Sequence, residues 1–164
     1  MDGRQAGEIR DRAVFHFDSG YYCAESVLLA MAEGLCVAAE IIPQVASGFC
    51  SGLARSGGQC GALSGAVIGL GLVHGRSDPG QDLEPVYTRV RSLLSRFRDR
   101  FGATACLDLT GCDLDTAEGQ RDFEERRVIE RCRDCVGEAA RLGMELLAGQ
   151  PPADIGGKKA SGSG

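Results

Sequence analysis

Cys60-Gly61-Ala62-Leu63-Ser64-Gly65-Ala66-Val67-Ile68-Gly69-Leu70-Gly71-Leu72-Val73 is the longest apolar stretch of the chain. It falls short of the roughly 20 residues a membrane helix needs, so it reads as a buried core helix over residues 60–75 rather than a span. Its glycine content is too high for a helix on propensity alone. Gly61, Gly65 and Gly69 stand four apart, however, and share one helix face where a second backbone can approach closely. That close approach suits helix packing or a cofactor, and also a homodimer packed through residues 61–75. Immediately upstream, residues 47–59 carry Gly48, Gly52, Gly57 and Gly58. That density predicts a tight loop with unusual backbone angles.

The flanking segments read as helices. Residues 7–19 place Ile9, Ala13, Val14 and Phe17 at helical spacing among charges. Residues 22–34 form a mostly apolar helix closed by Gly34. Residues 37–46 suggest a short helix interrupted by Pro43. Residues 83–101 are amphipathic, with Val86, Val90, Leu93, Leu94 and Phe97 inward and five arginines outward. A loop carries Cys106 and Cys112, and residues 120–148 read as one long charged helix. Period-2 alternation never persists, so the expected architecture is all-α, a bundle of about five to six helices.

At 164 residues, 43% hydrophobic and 25% charged, the chain is long enough for one self-sufficient core, assigned to residues 1–150. Residues 151–164 are polar and end in a linker-like run, read as a flexible tail outside the fold. The net charge of −5, the absence of Trp and the lack of basic clusters interleaved with aromatics argue against nucleic acid as a partner. There is no Asn, hence no N-glycosylation acceptor. No apolar segment follows Met1, so a cytoplasmic, reducing setting is expected.

The eight cysteines carry the chemistry: Cys23, Cys36, Cys50, Cys60, Cys106, Cys112, Cys132 and Cys135. A core this size needs no disulfide framework, which turns attention to redox or soft-metal roles. Cys23 lies in the first turn of its helix, where the dipole favours a thiolate. Cys132 and Cys135 are three apart on a helix and share a face. They lack the strand context of a thioredoxin motif, and no zinc-ribbon or ferredoxin spacing is present. Cys36 reads as a small packed hydrophobe, while Cys50 is open between packing and function. His16 and His74 read as satisfied core or surface histidines. Gly69, Gly71 and Gly75 imitate a dinucleotide pattern but fall inside a helix without a preceding strand. The charges of residues 118–134 read as a solvated helix face.

Gly20-Tyr21-Tyr22-Cys23-Ala24-Glu25-Ser26-Val27-Leu28, Gly48-Phe49 with its glycine loop, and Cys60-Gly61-Ala62-Leu63-Ser64-Gly65-Ala66 together resemble the redox-active protein family named for its C_GCAxxG_C_C cysteine pattern. Cys106-Leu107-Asp108-Leu109-Thr110-Gly111 is similar to its later cysteine–leucine–glycine segment, and Cys132 to its last cysteine. The resemblance covers roughly residues 8–147. It implies four key cysteines, Cys23, Cys60, Cys106 and Cys132, and redox activity. A related domain accompanies haem in split-Soret cytochromes, where an iron–sulfur centre is suspected. This chain departs in having Cys36, Cys50, Cys112 and Cys135 as well. It has no CxxCH, so no covalent haem is expected.

The leading expectation is an electron carrier rather than a stand-alone enzyme. Cys23, Cys60, Cys106 and Cys132 would hold a [4Fe–4S] or [2Fe–2S] cluster, with Cys112 and Cys135 as substitute or additional ligands. Gly57, Gly58, Gly61 and Gly65 would let backbone N–H groups approach it. Electrons would pass to a redox partner protein. The alternatives are a metal-free dithiol oxidoreductase, with Cys23 or Cys60 attacking a disulfide, and a zinc-binding module.

Overall fold

A computed structural model describes residues 3–148. The helices are α1 (Gly3–Asp18), α2 (Cys23–Gly34), α3 (Cys50–Ala54), α4 (Gly61–His74), α5 (Glu84–Phe101), α6 (Cys106–Thr110), α7 (Ala117–Glu125) and α8 (Ile129–Leu147), with a 3₁₀ segment at Gln44–Phe49. The class is all-α as expected, and the count exceeds five to six because short turns form where the sequence suggests loops. The proposed tail, residues 151–164, lies outside the described residues.

The long helices follow their apolar stripes. α5 buries Val86, Leu93, Phe97 and Phe101, with Val90 and Leu94 half-buried, and leaves its charges outside. α1 buries Ala6, Ile9 and Ala13. α8 lies against α1, α2, α4 and α5, so the core gathers around it from Ile9, Met31, Leu63, Leu70, Phe97, Val136 and Met144. Glu25 fastens the start of α2: its carboxylate accepts from the Tyr22 N–H at 2.9 Å and from the Ser47 hydroxyl at 2.6 Å. That second bond ties the 3₁₀ segment to α2.

Two local expectations need correction. Residues 37–46 do not form a helix around Pro43. The chain turns there and becomes 3₁₀ only from Gln44, because proline lacks the N–H that a helix through it would use. The single helix expected over residues 120–148 is broken between α7 and α8, where Arg127 takes φ 51°. The glycine loop has the unusual angles expected of it, but Ser51, Leu53, Ala54 and Arg55 share positive φ with Gly52, making α3 a left-handed turn.

The glycine face of α4 is consumed within the chain. A Cβ on Gly65 would run into the Ala24 carbonyl of α2, and one on Gly69 would lie 2.6 Å from the Met31 sulfur. The small residues therefore serve α2–α4 packing, and this face is not open to a second copy. Among the described residues, no helix is long and apolar enough to cross a membrane.

Candidate redox site

Two short backbone segments bring distant cysteines side by side. Residues 57–60 run antiparallel to 104–107. The Cys60 N–H donates to the Thr104 carbonyl at 2.8 Å, and the Cys106 N–H donates to the Gly58 carbonyl at 2.7 Å. Cys60 thereby becomes the N-cap of α4 and Cys106 the first residue of α6. Cys23 opens α2, and its sulfur lies where a side chain on Gly61 would stand. Gly52, at φ 63°, lets the left-handed turn press onto Cys106: a Cβ there would overlap the Cys106 side chain. Cys132 and Cys135 approach from one face of α8. These five cysteines line a single cavity of about 30 Å³, together with Gly61 and Arg131.

Cys60 is the sulfur held toward the thiolate. The Cys135 thiol donates to it, burial opposes, and the Ala62 and Leu63 N–H groups at the start of α4 add to the donors. Cys135 is pushed up, chiefly as the donor to Cys60 and then by burial. Burial raises Cys106 to about 11, with Cys60 and Cys112 adding to it. Burial likewise raises Cys132 to about 12, with Cys60 and Cys106 adding and Arg131 opposing. The cavity therefore sets one sulfur held toward the thiolate among thiols held toward their protonated forms.

A second thiol pair lies beside the first. Cys50 is lowered to about 7, mainly by the Cys23 thiol; burial opposes, and the Glu25 and Ala24 N–H groups assist. Cys23 is raised well above the ordinary thiol value by its bond to Cys50, then by burial and by Cys60. The expectation of a dipole-stabilised thiolate at Cys23 is thus overturned. The N–H groups at the start of α2 serve Cys50, and Cys23 becomes the proton donor.

The other residues singled out by the sequence stand away from the cavity. Cys112 is buried but does not line it; its sulfur accepts from Arg126 Nη1 at 3.7 Å. Cys36, expected to be packed, is exposed at φ 57°. The Gly57 and Gly58 carbonyls accept from Leu107 and Cys106, so these glycines dock α6. Gly65 spaces α2 from α4. His16 bonds Glu33 at 2.9 Å, whereas the buried Nε2 of His74 has no partner among the described residues, contrary to the satisfied histidine expected. Arg131 is the cavity residue that motif reading missed, and Cys50, open between packing and function in the sequence, packs against Cys23. Cys50 enters a left-handed turn that no spacing rule encodes, and Arg131 looks like one more solvated charge of α8.

Beside the cavity opens a cleft of about 220 Å³, lined by Phe17, Tyr22, Phe123, Arg55, Cys23 and Cys132 among others. Cys23 and Cys132, half-buried, belong to both spaces, while Cys60, Cys106 and Cys135 are buried. The donor set, thiols alone with neither carboxylate nor imidazole in the cavity wall, fits soft-metal chemistry. Among the described residues, no three His, Cys, Asp or Glu side chains gather as the ligands of a single ion.

No solved structure matches the chain. It is 26% identical over 155 residues to an uncharacterized protein of Archaeoglobus fulgidus, covering 89% of this chain and 97% of that one. Residues 21–146 match the family described as "Putative redox-active protein (C_GCAxxG_C_C)". That span contains all five cysteines of the cavity and most of the helices that position them, and the chain belongs to this C_GCAxxG_C_C family.

Proposed function

We propose that the chain binds an iron–sulfur cluster through cysteine thiolates and works as an electron carrier. The observation supporting this most directly is that Cys23, Cys60, Cys106, Cys132 and Cys135, from four helix starts or faces, line one cavity. All five are thiols, the ligands that iron–sulfur clusters take, and they are more than the two a dithiol cycle needs. When bound, such a cluster supplies reversible one-electron transfer.

The chain's own residues prepare the ligands. The Ala62 and Leu63 N–H groups and the positive end of α4 hold negative charge at Cys60. Arg131, in the cavity wall, lowers the charging cost of Cys132 and Cys135. Gly61 leaves the space in which the Cys23 sulfur lies. Cys112, close enough to raise Cys106, stands in reserve as a replacement ligand.

The test is anaerobic purification, followed by the visible spectrum and counts of iron and acid-labile sulfide. The expected product is brown with stoichiometric iron and sulfide, and Cys60→Ser loses more than half of both. Protein that stays colourless and iron-free after anaerobic reconstitution overturns the reading in favour of dithiol or zinc chemistry.

A further inference from the structure

Cys50 lies outside the cavity formed by the other thiols, yet it is in direct contact with one of them. Cys23 and Cys50 pack together in a small apolar cluster with Ala24, Leu28 and Ala46. The point where a Gly61 Cβ would sit is flanked by the Cys23 sulfur and, at 3.2 Å, by Cys50 Cα. Cys50 donates to the Ala46 carbonyl at 3.8 Å and is followed at once by the left-handed turn of α3.

Access separates this pair from the other thiol contact. Cys60 and Cys135 also interact, but they are 8% and 2% exposed, and neither lines the cleft. Cys23 does line the cleft, with Ser51 and Arg55 of the turn that follows Cys50 forming part of the same wall. An oxidant in the cleft therefore meets Cys23 and Cys132, and of these two Cys23 has Cys50 packed against it.

We propose that Cys23 and Cys50 are an oxidisable dithiol, closed to a disulfide by low-molecular-weight disulfides admitted through the cleft. Cys23 gives its proton to the neighbouring Cys50 sulfur and, as the thiolate, attacks one sulfur of the small disulfide, forming a mixed disulfide and releasing a small thiolate that takes up that proton. The Cys50 thiolate then attacks the Cys23 sulfur, forming the Cys23–Cys50 bond and releasing the second small thiolate, which takes its proton from water. The protein loses two electrons and one proton, and the small disulfide gains both electrons. The oxidation does not depend on the cluster reading. It adds a consequence for it: a chain closed in this way has withdrawn Cys23 from the cavity.

The experiment uses the full chain and oxidised glutathione, with samples alkylated over time and digested without reduction at glutamate and arginine. Cleavage at Glu25, Glu40 and Arg55 puts Cys23, Cys50 and Cys60 on separate peptides. The expected first product is the peptide pair linked through Cys23 and Cys50, with loss of two free thiols per chain while Cys60 and Cys135 are still alkylated. In Cys50→Ala, whose helix content is checked by circular dichroism, a glutathione adduct persists on Cys23. A first linkage of Cys23 to Cys132 or Cys60, or of Cys60 to Cys135, overturns the proposal, as does a persistent adduct on Cys23 with Cys50 intact. If the protein carries iron, the same time course is repeated after chelation. Iron and sulfide counts then test the cluster while the linkage map tests the dithiol, so either can fail alone.

Discussion

Cys106 and Cys132 keep their protons in the folded chain to about pH 11 and about pH 12, because burial and neighbouring thiols penalise their thiolates. In the unfolded chain a thiol ionises near 8.5. Above about pH 9 the unfolded state therefore binds fewer protons than the folded one, and stability falls as pH rises toward 11 to 12. Cys50, lowered to about 7, has the opposite sign. Its contribution is present above about 8.5 and is lost as pH falls through 7. Urea midpoints of the reduced, metal-free protein are expected to decline from pH 9 to 11, and Cys132→Ala to decline less over the same interval. Equal declines would show that Cys132 does not retain its proton. None of these shifts is legible in the sequence, where Cys23 looks like the natural thiolate. The N–H groups of α2 reach Cys50 instead, because the tertiary path of the glycine loop returns over that helix start.

At the scale of single elements, α4 makes the sharpest prediction, since its glycines are not equivalent. A methyl at Gly65 would collide with the backbone carbonyl of Ala24, which cannot turn aside as a flexible side chain does. Gly65→Ala is therefore expected to destabilise by about 1–3 kcal/mol, the usual range for overpacking. Gly71, in the same helix, has nothing within 4 Å of where its Cβ would be. Gly71→Ala should stabilise by about 1 kcal/mol through helix propensity alone. Urea denaturation of both variants checks the pair, and a Gly65→Ala protein as stable as the parent would mean that α2 and α4 are not in this close contact. The four-residue glycine spacing makes a close backbone approach legible in the sequence, though not which backbone approaches. The amphipathic stripes of α1 and α5 and the apolar runs of α2 and α4 are legible in the same way, from side-chain periodicity within one segment. The break at Arg127 is not, because residues 120–136 contain neither Gly nor Pro and the pattern continues across it. The meeting of Cys60 with Cys106 is hidden too, since it depends on backbone bonds between two short segments that carry no alternating pattern.

Across the whole molecule, one methionine joins three of the helices that carry the cavity's cysteines. Met31 of α2 is fully buried, and its sulfur and methyl fill the spaces left by Gly69 of α4 and Gly143 of α8. A Cβ at Gly69 would lie 2.6 Å from that sulfur, and one at Gly143 would lie 2.8 Å from that methyl. Cys23, Cys60 and the Cys132–Cys135 pair ride on these same three helices, so the Met31 wedge sets the spacing of the cavity's walls. Met31→Ala should cost about 2–5 kcal/mol, from lost burial and the void left between three helices. Gly69→Ala alone should cost about 1–3 kcal/mol by driving a methyl into the thioether. Combined, the new methyl enters the void that the missing thioether leaves. The double variant should therefore be more stable than the sum of the single losses predicts by about 0.5–3 kcal/mol, the range seen for residues in contact. A double-mutant cycle by urea denaturation measures this coupling. Strict additivity would mean that Met31 does not fill the space at Gly69, and that α2 and α4 are spaced by the Gly65–Ala24 contact alone.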